Sequence, residues 1–273
     1  MNIQCNFIQP YLYSSMKNYI TDSGFTSDSC HIHCFECFFP SSVNTAAPLT
    51  IRLIPSAFSI WLIGYNDSDT PSTIYFLGSL DHMMDVQLKT FNHYFCICFD
   101  DDIYYLNHTL TEVSSAADMR NTIFEKIVAA DTIEYDLIHQ LKITDSFDSR
   151  IAAAVSYLIK SSTQYHFHKN ELLLHDVIKE HHGCITVKTI ADHTGYSVRH
   201  INRIFTNAFG FGPKDYCKYI RFQKALYEMI TLPKRHNSAF IQNIGYSDQA
   251  HFQREFKALM GITPRQYLAL LCQ

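Results

Sequence analysis

The sequence predicts an α+β chain with three parts: a mostly-β N-terminal domain, a helical connector, and an all-α C-terminal domain with two helix-turn-helix motifs. Three observations carry this. β-favouring residues crowd into the first hundred positions, apolar spacing changes to threes and fours from about Asn107, and the last quarter holds an internal repeat. With 273 residues, 47% of them apolar and only 18% charged, the chain can bury a sizeable core. A disordered or fibrous protein is excluded.

Residues 1–105 are taken as the β-domain. The runs Cys30–Phe39, Ile51–Ile63, Thr73–Leu77 and Phe91–Phe99 are rich in Ile, Phe, Tyr, Val and Cys, and Pro40, Pro48, Pro55, Gly64, Asn66 to Asp69 and Pro71 punctuate them. A mostly antiparallel sheet is expected, ended by Asp100-Asp101-Asp102. Residues 106–165 are taken as the connector, because Met119, Ile123, Ile127 and Val128, then Ile133, Leu137, Ile138 and Leu141, then Ile151, Val155, Leu158 and Ile159 recur at helical spacing. Lys160–Asn170 lacks that periodicity and is the linker candidate. From residue 170 to 273 everything reads as helical.

Charge divides the chain. From Thr186 onward there are 12 Lys plus Arg against 5 acids, a balance of +7, while the preceding residues hold 10 bases and 21 acids and sum to −11. A basic domain joined to an acidic one points to a polyanionic partner at the C-terminal end. Nine cysteines, an odd number spread from Cys5 to Cys272 with no secretory leader before them, indicate a reduced, cytoplasmic chain. The most apolar stretch, Ile51–Tyr65, is interrupted by Arg52, Pro55, Ser56 and Ser59, so no membrane anchor is expected.

In the repeat, Gly195-Tyr196-Ser197 recurs as Gly245-Tyr246-Ser247 at an offset of 50. Ile201, Arg203, Phe205, Gly210, Pro213 and Tyr216 then recur as Phe252, Arg254, Phe256, Gly261, Pro264 and Tyr267 at an offset of 51. The second copy therefore has one extra residue at the start of its helix. Val187, Ile190 and Ala191 form one face of a short helix, Gly195 supplies a turn at positive φ, and Ser197 is the N-cap of the next helix. That is helix-turn-helix grammar, over about residues 186–207 and again over 237–258.

In the first reading helix Ile201, Ile204, Phe205 and Ala208 form the core face, leaving Arg199, His200, Asn202, Arg203 and Thr206 outward. Such a helix suits the major groove of double-stranded DNA, since Arg pairs bidentately with guanine and Asn with adenine. The second copy buries Phe252 and Phe256 and exposes Gln249, His251, Gln253, Arg254 and Lys257. Between them Pro213, Tyr216, Ile220, Ala225 and Leu226 build a longer helix that sets the separation of the two heads.

At these residues, from about Leu172 to Leu271, the chain resembles the AraC/XylS family of bacterial transcription regulators. The resemblance rests on Gly-Tyr-Ser, Arg-x-Phe and Gly-x-x-Pro-x-x-Tyr in both copies and on Tyr219-Ile220-Arg221-Phe222-Gln223-Lys224-Ala225 in the linker helix. It implies a seven-helix DNA-binding unit with base-edge contacts from Arg199, Asn202 and Arg203, and from Gln249, His251, Gln253 and Arg254. It also implies a sensor-type N-terminal domain, cupin-like or related, answering to a small-molecule effector of unknown identity. One position departs from the family pattern: Ile241 stands where a small residue is usual and where the first copy has Ala191. Its bulk is expected to alter the angle of the second motif, so that the first half-site is read more stringently.

One other cluster carries ligand-type residues, Cys30-His31-Ile32-His33-Cys34-Phe35-Glu36-Cys37. Cys34-x-x-Cys37 is half a zinc site, and His31-x-His33 with Glu36 falls one residue short of the spacing of metal-binding cupins. Strand parity opposes both, because Cys34 and Glu36 point away from the face shared by His31, His33, Phe35 and Cys37. Buried thiols beside a semi-exposed His row are expected instead, and Cys96 and Cys98 are expected to fill core. A metal-binding cupin-like enzyme or metal sensor fused to a DNA-binding tail remains the alternative. No phosphate loop, nucleophile elbow or His-Glu-x-x-His is present, and no cofactor is expected. The connector helices have more apolar positions than solvation allows, which points to packing on the β-domain or, the favoured reading, to a homodimer.

Overall fold

A computed structural model describes residues 20–25, 32–39, 48–57, 59–68, 70–99, 119–161, 169–231 and 238–271. The described strands are β1 (Ile20–Phe25), β2 (Ile32–Phe38), β3 (Leu49–Leu53), β4 (Ile60–Tyr65), β5 (Thr73–Leu77), β6 (Met84–Leu88), β7 (His93–Phe99) and β8 (Ile123–Ile127). Six of them form one sheet in the order β1-β2-β7-β4-β5-β8, every pair antiparallel, and β3 and β6 form a separate antiparallel pair.

The large sheet is covered on both faces, which explains why β4, β5 and β7 read as continuous apolar runs rather than as alternation. On one face Phe35, Leu62, Tyr75 and Cys96 join Ile51, Leu53, Val86 and Leu88 of the small sheet. On the other, Trp61, Phe76, Phe95 and Ile97 meet the connector helices α1 (Ile133–Ile143) and α2 (Phe147–Ser161) through Leu137, Ile138, Leu141, Ile151 and Leu158. Trp61 anchors this layer, with edge-on contacts to Phe76 at 4.8 Å, Phe99 at 5.1 Å and Tyr157 at 6.1 Å. Arg150 of α2 pins the helix layer to β2 by donating from Nε and Nη2 to the Glu36 carboxylate at 2.7 and 2.8 Å.

Several expectations need correction. Ile123–Ile127, read as helical from the spacing of Met119, Ile123 and Ile127, is strand β8, hydrogen-bonded along β5 from Ile123↔Leu77 to Thr73↔Ile127. A spacing of four satisfies two strand periods as well as one helical turn, and β-branched Ile with Phe124 favours the strand. The sheet consequently reaches past residue 105, and the connector's helices begin only at Ile133. The Ile51–Ile63 run breaks into β3 and β4 at Pro55, which has no N–H to give a ladder; Ser56 beyond it makes an isolated bridge to Leu80. His33 is buried rather than semi-exposed, and burial lowers its imidazole pKa to about 4. Strands β1 and β6 went unread: one is polar, the other a short edge. The Asp100-Asp101-Asp102 terminator and residues 162–168 of the linker candidate lie outside the described residues.

Leu137, Ile138, Leu141, Ile151 and Leu158 of α1 and α2 are buried on the chain's own sheet, whereas Ile133 and Ile159 of the same periodic set are exposed. The C-terminal region contributes α3 (Lys169–Glu180), α4 (Val187–Thr194), α5 (Val198–Phe209), α6 (Pro213–Thr231), α7 (Ser238–Asn243), α8 (Gln249–Met260) and α9 (Pro264–Leu271). None of the described helices is long and apolar enough to cross a membrane.

Candidate nucleic-acid interface

Helices α4 and α5 form the first motif. Thr186 caps α4 by accepting from the Thr189 N–H, Gly195 ends it at φ 72°, and Ser197 caps α5 by accepting from the His200 N–H at 3.2 Å. Helix α5 has a single apolar face: Ile201 and Phe205 are fully buried and Ile204 packs against the same core. The opposite stripe, Arg199, Asn202, Arg203 and Thr206, is exposed. Arg203 Nη2 lies 3.1 Å from His200 Nδ1, and Asn202 Nδ2 donates to Val198 O at 2.8 Å, so both side chains rest along their own helix.

Helices α7 and α8 repeat the design with one change. Gly245 turns the chain at φ 81°, but the cap of α8 is Asp248, which accepts from the His251 N–H at 2.7 Å, while Ser247 Oγ donates to Asp248. The residue that moves the offset from 50 to 51 is therefore accommodated between Tyr246 and the cap. Phe252, Phe256, Leu259 and Met260 are buried, and Gln249, Gln253, Arg254 and Lys257 are exposed. His251 is only half-exposed: its ring meets Tyr246 edge-on at 5.3 Å, and Ser247 Oγ lies 3.2 Å from its Nδ1. Tyr196 and His200 make the matching contact at 5.1 Å.

The longer repeated elements now have physical meanings. Gly210 and Gly261 close α5 and α8 in the left-handed conformation, and Pro213 and Pro264 open the helices that follow. Phe205 then meets Tyr216 at 5.4 Å, and Phe256 meets Tyr267 at 5.8 Å. The linker-helix motif is a hub. Tyr219 packs on Phe211, Phe222 on Phe256, and Arg221 donates from Nη2 to both oxygens of Glu255 at 3.0 and 3.1 Å, with its guanidinium over the Tyr246 ring at 4.8 Å. Ile241, the bulky departure, is buried in this core with Phe240 and Ile244.

All eight DNA-contact candidates thus lie on α5 and α8, seven exposed and His251 half-covered. Sequence reading passed over Lys188 and Arg265. With Arg199 they sit in the first turns of α4, α9 and α5, and those turns, like that of α8, carry no acid. A helix N-terminus favours anions, so basic residues placed there lose dipole stabilisation unless an anion joins them. First-turn composition was the available signal.

The metal alternative finds no support in the geometry. Cys34 and Cys37 are buried on opposite faces of the sheet, with burial pushing the Cys34 thiol well up and that of Cys37 up to about 12. His31 lies outside the described residues, and no group of three His, Cys, Asp or Glu among the described residues could hold a metal ion.

Comparison with known proteins agrees with this geometry at the C-terminal end. Residues 190–269 match the family model described as a helix-turn-helix domain. An uncharacterized HTH-type transcriptional regulator of Staphylococcus aureus (strain COL) is 22% identical over 178 residues, covering 61% of this chain and 23% of that protein. A second, from strain MSSA476, is 26% identical over 110 residues, covering 37% and 15%. The chain spans less than a quarter of the length of these curated relatives. Among solved structures, the C-terminal domain of AraT, a response regulator from Geobacillus stearothermophilus, shares 22% identity over 39% of this chain and 88% of that one, with a TM-score of 0.36. ToxT from Vibrio cholerae shares 10% identity over 90% of this chain and 100% of that one, with a TM-score of 0.46. The family match lies on the two motifs and the linker helix between them, so residues 190–269 of this chain carry a helix-turn-helix domain.

Proposed function

We propose that the chain is a sequence-specific, DNA-binding transcription regulator of the AraC type and not an enzyme. The observation that carries this is the pair of capped helices, α5 and α8, each with a buried apolar face and an exposed Arg-containing stripe, with helix α6 between them in a segment of charge +7. Arg199, Asn202 and Arg203 read the first half-site; Gln249, Gln253 and Arg254 read the second, with Lys257 on phosphate. His251 is better placed to hold the Tyr246 turn than to reach a base. Selection of duplexes from a random library by the full-length chain should enrich one site with two blocks of fixed sequence. A folded chain that enriches nothing at low salt overturns the proposal.

Two finer readings belong with it. A cavity of about 320 Å³ between β2, β4, β7 and the connector helices, lined by Glu36, Tyr65, His93, Lys142 and Arg150 among others, supports a small-molecule effector site. Ile133, Ile143 and Ile159 remain exposed on the outer sides of α1 and α2, which supports a homodimer through the connector.

A further inference from the structure

The β-domain meets the reading helices along one edge. The turn carrying Arg120 is braced on the end of β5: the Gly78 N–H donates to Thr122 O at 3.3 Å, the Asn121 N–H to Ser79 O at 2.9 Å, and the Asp81 N–H to Asn121 Oδ1 at 3.0 Å. The approach is close enough that a Cβ on Gly78 would stand 2.1 Å from Met119 O.

From this support the Arg120 guanidinium divides its donors. Nη2 is paired with Asp81 Oδ2, and Nη1 donates to Gly210 O at 3.0 Å. Gly210 is the C-cap of α5, where backbone carbonyls lack helical partners and the dipole favours a cation. Burial raises the Asp81 carboxyl pKa, but hydrogen bonds from Arg120, His82 and Asn121 outweigh it and hold the group at about 2. Asp81 is therefore an ionised anchor at any physiological pH.

Two residues beyond Asp81, Met83 lies against Gly261, its methyl 2.7 Å from where a Cβ on that glycine would sit. Gly261 is the C-cap of α8. One edge of the β-domain thus touches the C-terminal ends of both reading helices, by a charged fork at the first and a thioether at the second. Arg199, Asn202, Arg203, Gln253, Arg254 and Lys257 remain exposed, so the contact does not cover the faces offered to DNA.

We propose that Arg120 is a positioning residue for DNA reading: it holds the C-terminal end of α5 from the β-domain and so fixes the presentation of the first reading stripe. The assignment rests on the DNA-reading proposal above. Because the braced turn leads directly into β8, this side chain gives a shift in the sheet a route to α5.

The test uses the full-length chain and two variants, R120A and D81N, the second keeping the arginine while removing its anchor. Amide exchange without DNA should quicken in both variants across the last turn of α5 and at Gly210, and not in α8. Affinity for the selected duplex should fall about three- to tenfold, in line with coupling through a contact remote from the ligand. Affinity for a scrambled duplex should change by less than about twofold, because phosphate contacts carry no sequence information. Replacing the first half-site should abolish the difference between wild type and variant. Equal losses on both duplexes, unchanged affinity, or unchanged exchange overturns the assignment. A wild-type chain that binds no duplex overturns the DNA-reading proposal and this one together, whereas intact wild-type binding with unaffected variants overturns this one alone.

Discussion

The two helix-turn-helix motifs share a glycine turn and an aromatic contact in the core, yet they are capped by different residues and fastened differently. At the position equivalent to Ile204 in the first motif the second has Glu255, so one reading helix is seated by an aliphatic contact and the other by an ion pair to Arg221. Gly195 has nothing within 4 Å of a hypothetical Cβ, while one on Gly245 would stand 2.2 Å from Cys184 Sγ and 2.9 Å from Cys184 Cβ. The first turn needs glycine for its backbone angle alone; the second needs it for angle and space. A duplicated motif thus preserves what its local backbone demands and diverges where it meets the rest of the protein.

The ion pair gives the largest expected effect. Glu255→Ala leaves Arg221 without its carboxylate, with the two side chains only 16% and 14% exposed. Breaking a fully buried pair costs about 3–5 kcal/mol, so about 2–4 kcal/mol is expected here. Ile204→Ala, at a half-buried site, should cost about 1–2 kcal/mol. Urea denaturation midpoints at unchanged slope measure both, and equal losses would remove the distinction between the two fastenings.

The glycine comparison comes next. Gly195→Ala should cost about 1–2 kcal/mol, the strain of a left-handed alanine. Gly245→Ala adds overpacking against Cys184, which is exposed and can rotate in part, for a total of about 2–3 kcal/mol. If Gly245→Ala, Cys184→Gly is no more stable than Gly245→Ala alone, the crowding is not the cause.

Base readout sharpens the comparison on the functional side. Single base substitutions under the first motif should each cost about 1–3 kcal/mol, and those under the second less. Two features support that order: Ile241 in place of the small residue, and a second stripe that has Ala250 where the first has Arg199. A saturation scan of the selected site showing equal penalties would refute it.

Much of this was legible in the sequence, and the failures have a common cause. The repeat located α5 and α8 because caps, glycine turns and apolar faces are local properties, written within a dozen residues of each other. The fourfold spacing of Met119, Ile123 and Ile127 misled because it does not separate helix from strand, and only pairing with Thr73–Leu77 decides. The Arg221–Glu255 pair and the Arg120 contact to Gly210 span 34 and 90 residues of sequence, and no periodicity marks either. The ligand-type residues around Cys34 and Cys37 looked like chemistry, but parity had already assigned the two thiols to opposite faces of a covered sheet.

The smallest effect separates charge from readout. The last stripe position is Thr206 in the first motif and Lys257 in the second, both exposed. A threonine there contributes a neutral contact, whereas a lysine adds a phosphate contact that releases counterions. Lys257→Ala should therefore reduce the slope of log affinity against log salt by roughly 0.9, and weaken binding to selected and scrambled duplexes alike. Thr206→Ala should leave the slope unchanged. If Lys257→Ala weakens only the selected duplex, Lys257 reads a base, and the second motif is a reader as discriminating as the first. A slope that falls with no change in preference places the second motif as the electrostatic half of the pair, with α5 supplying most of the sequence information.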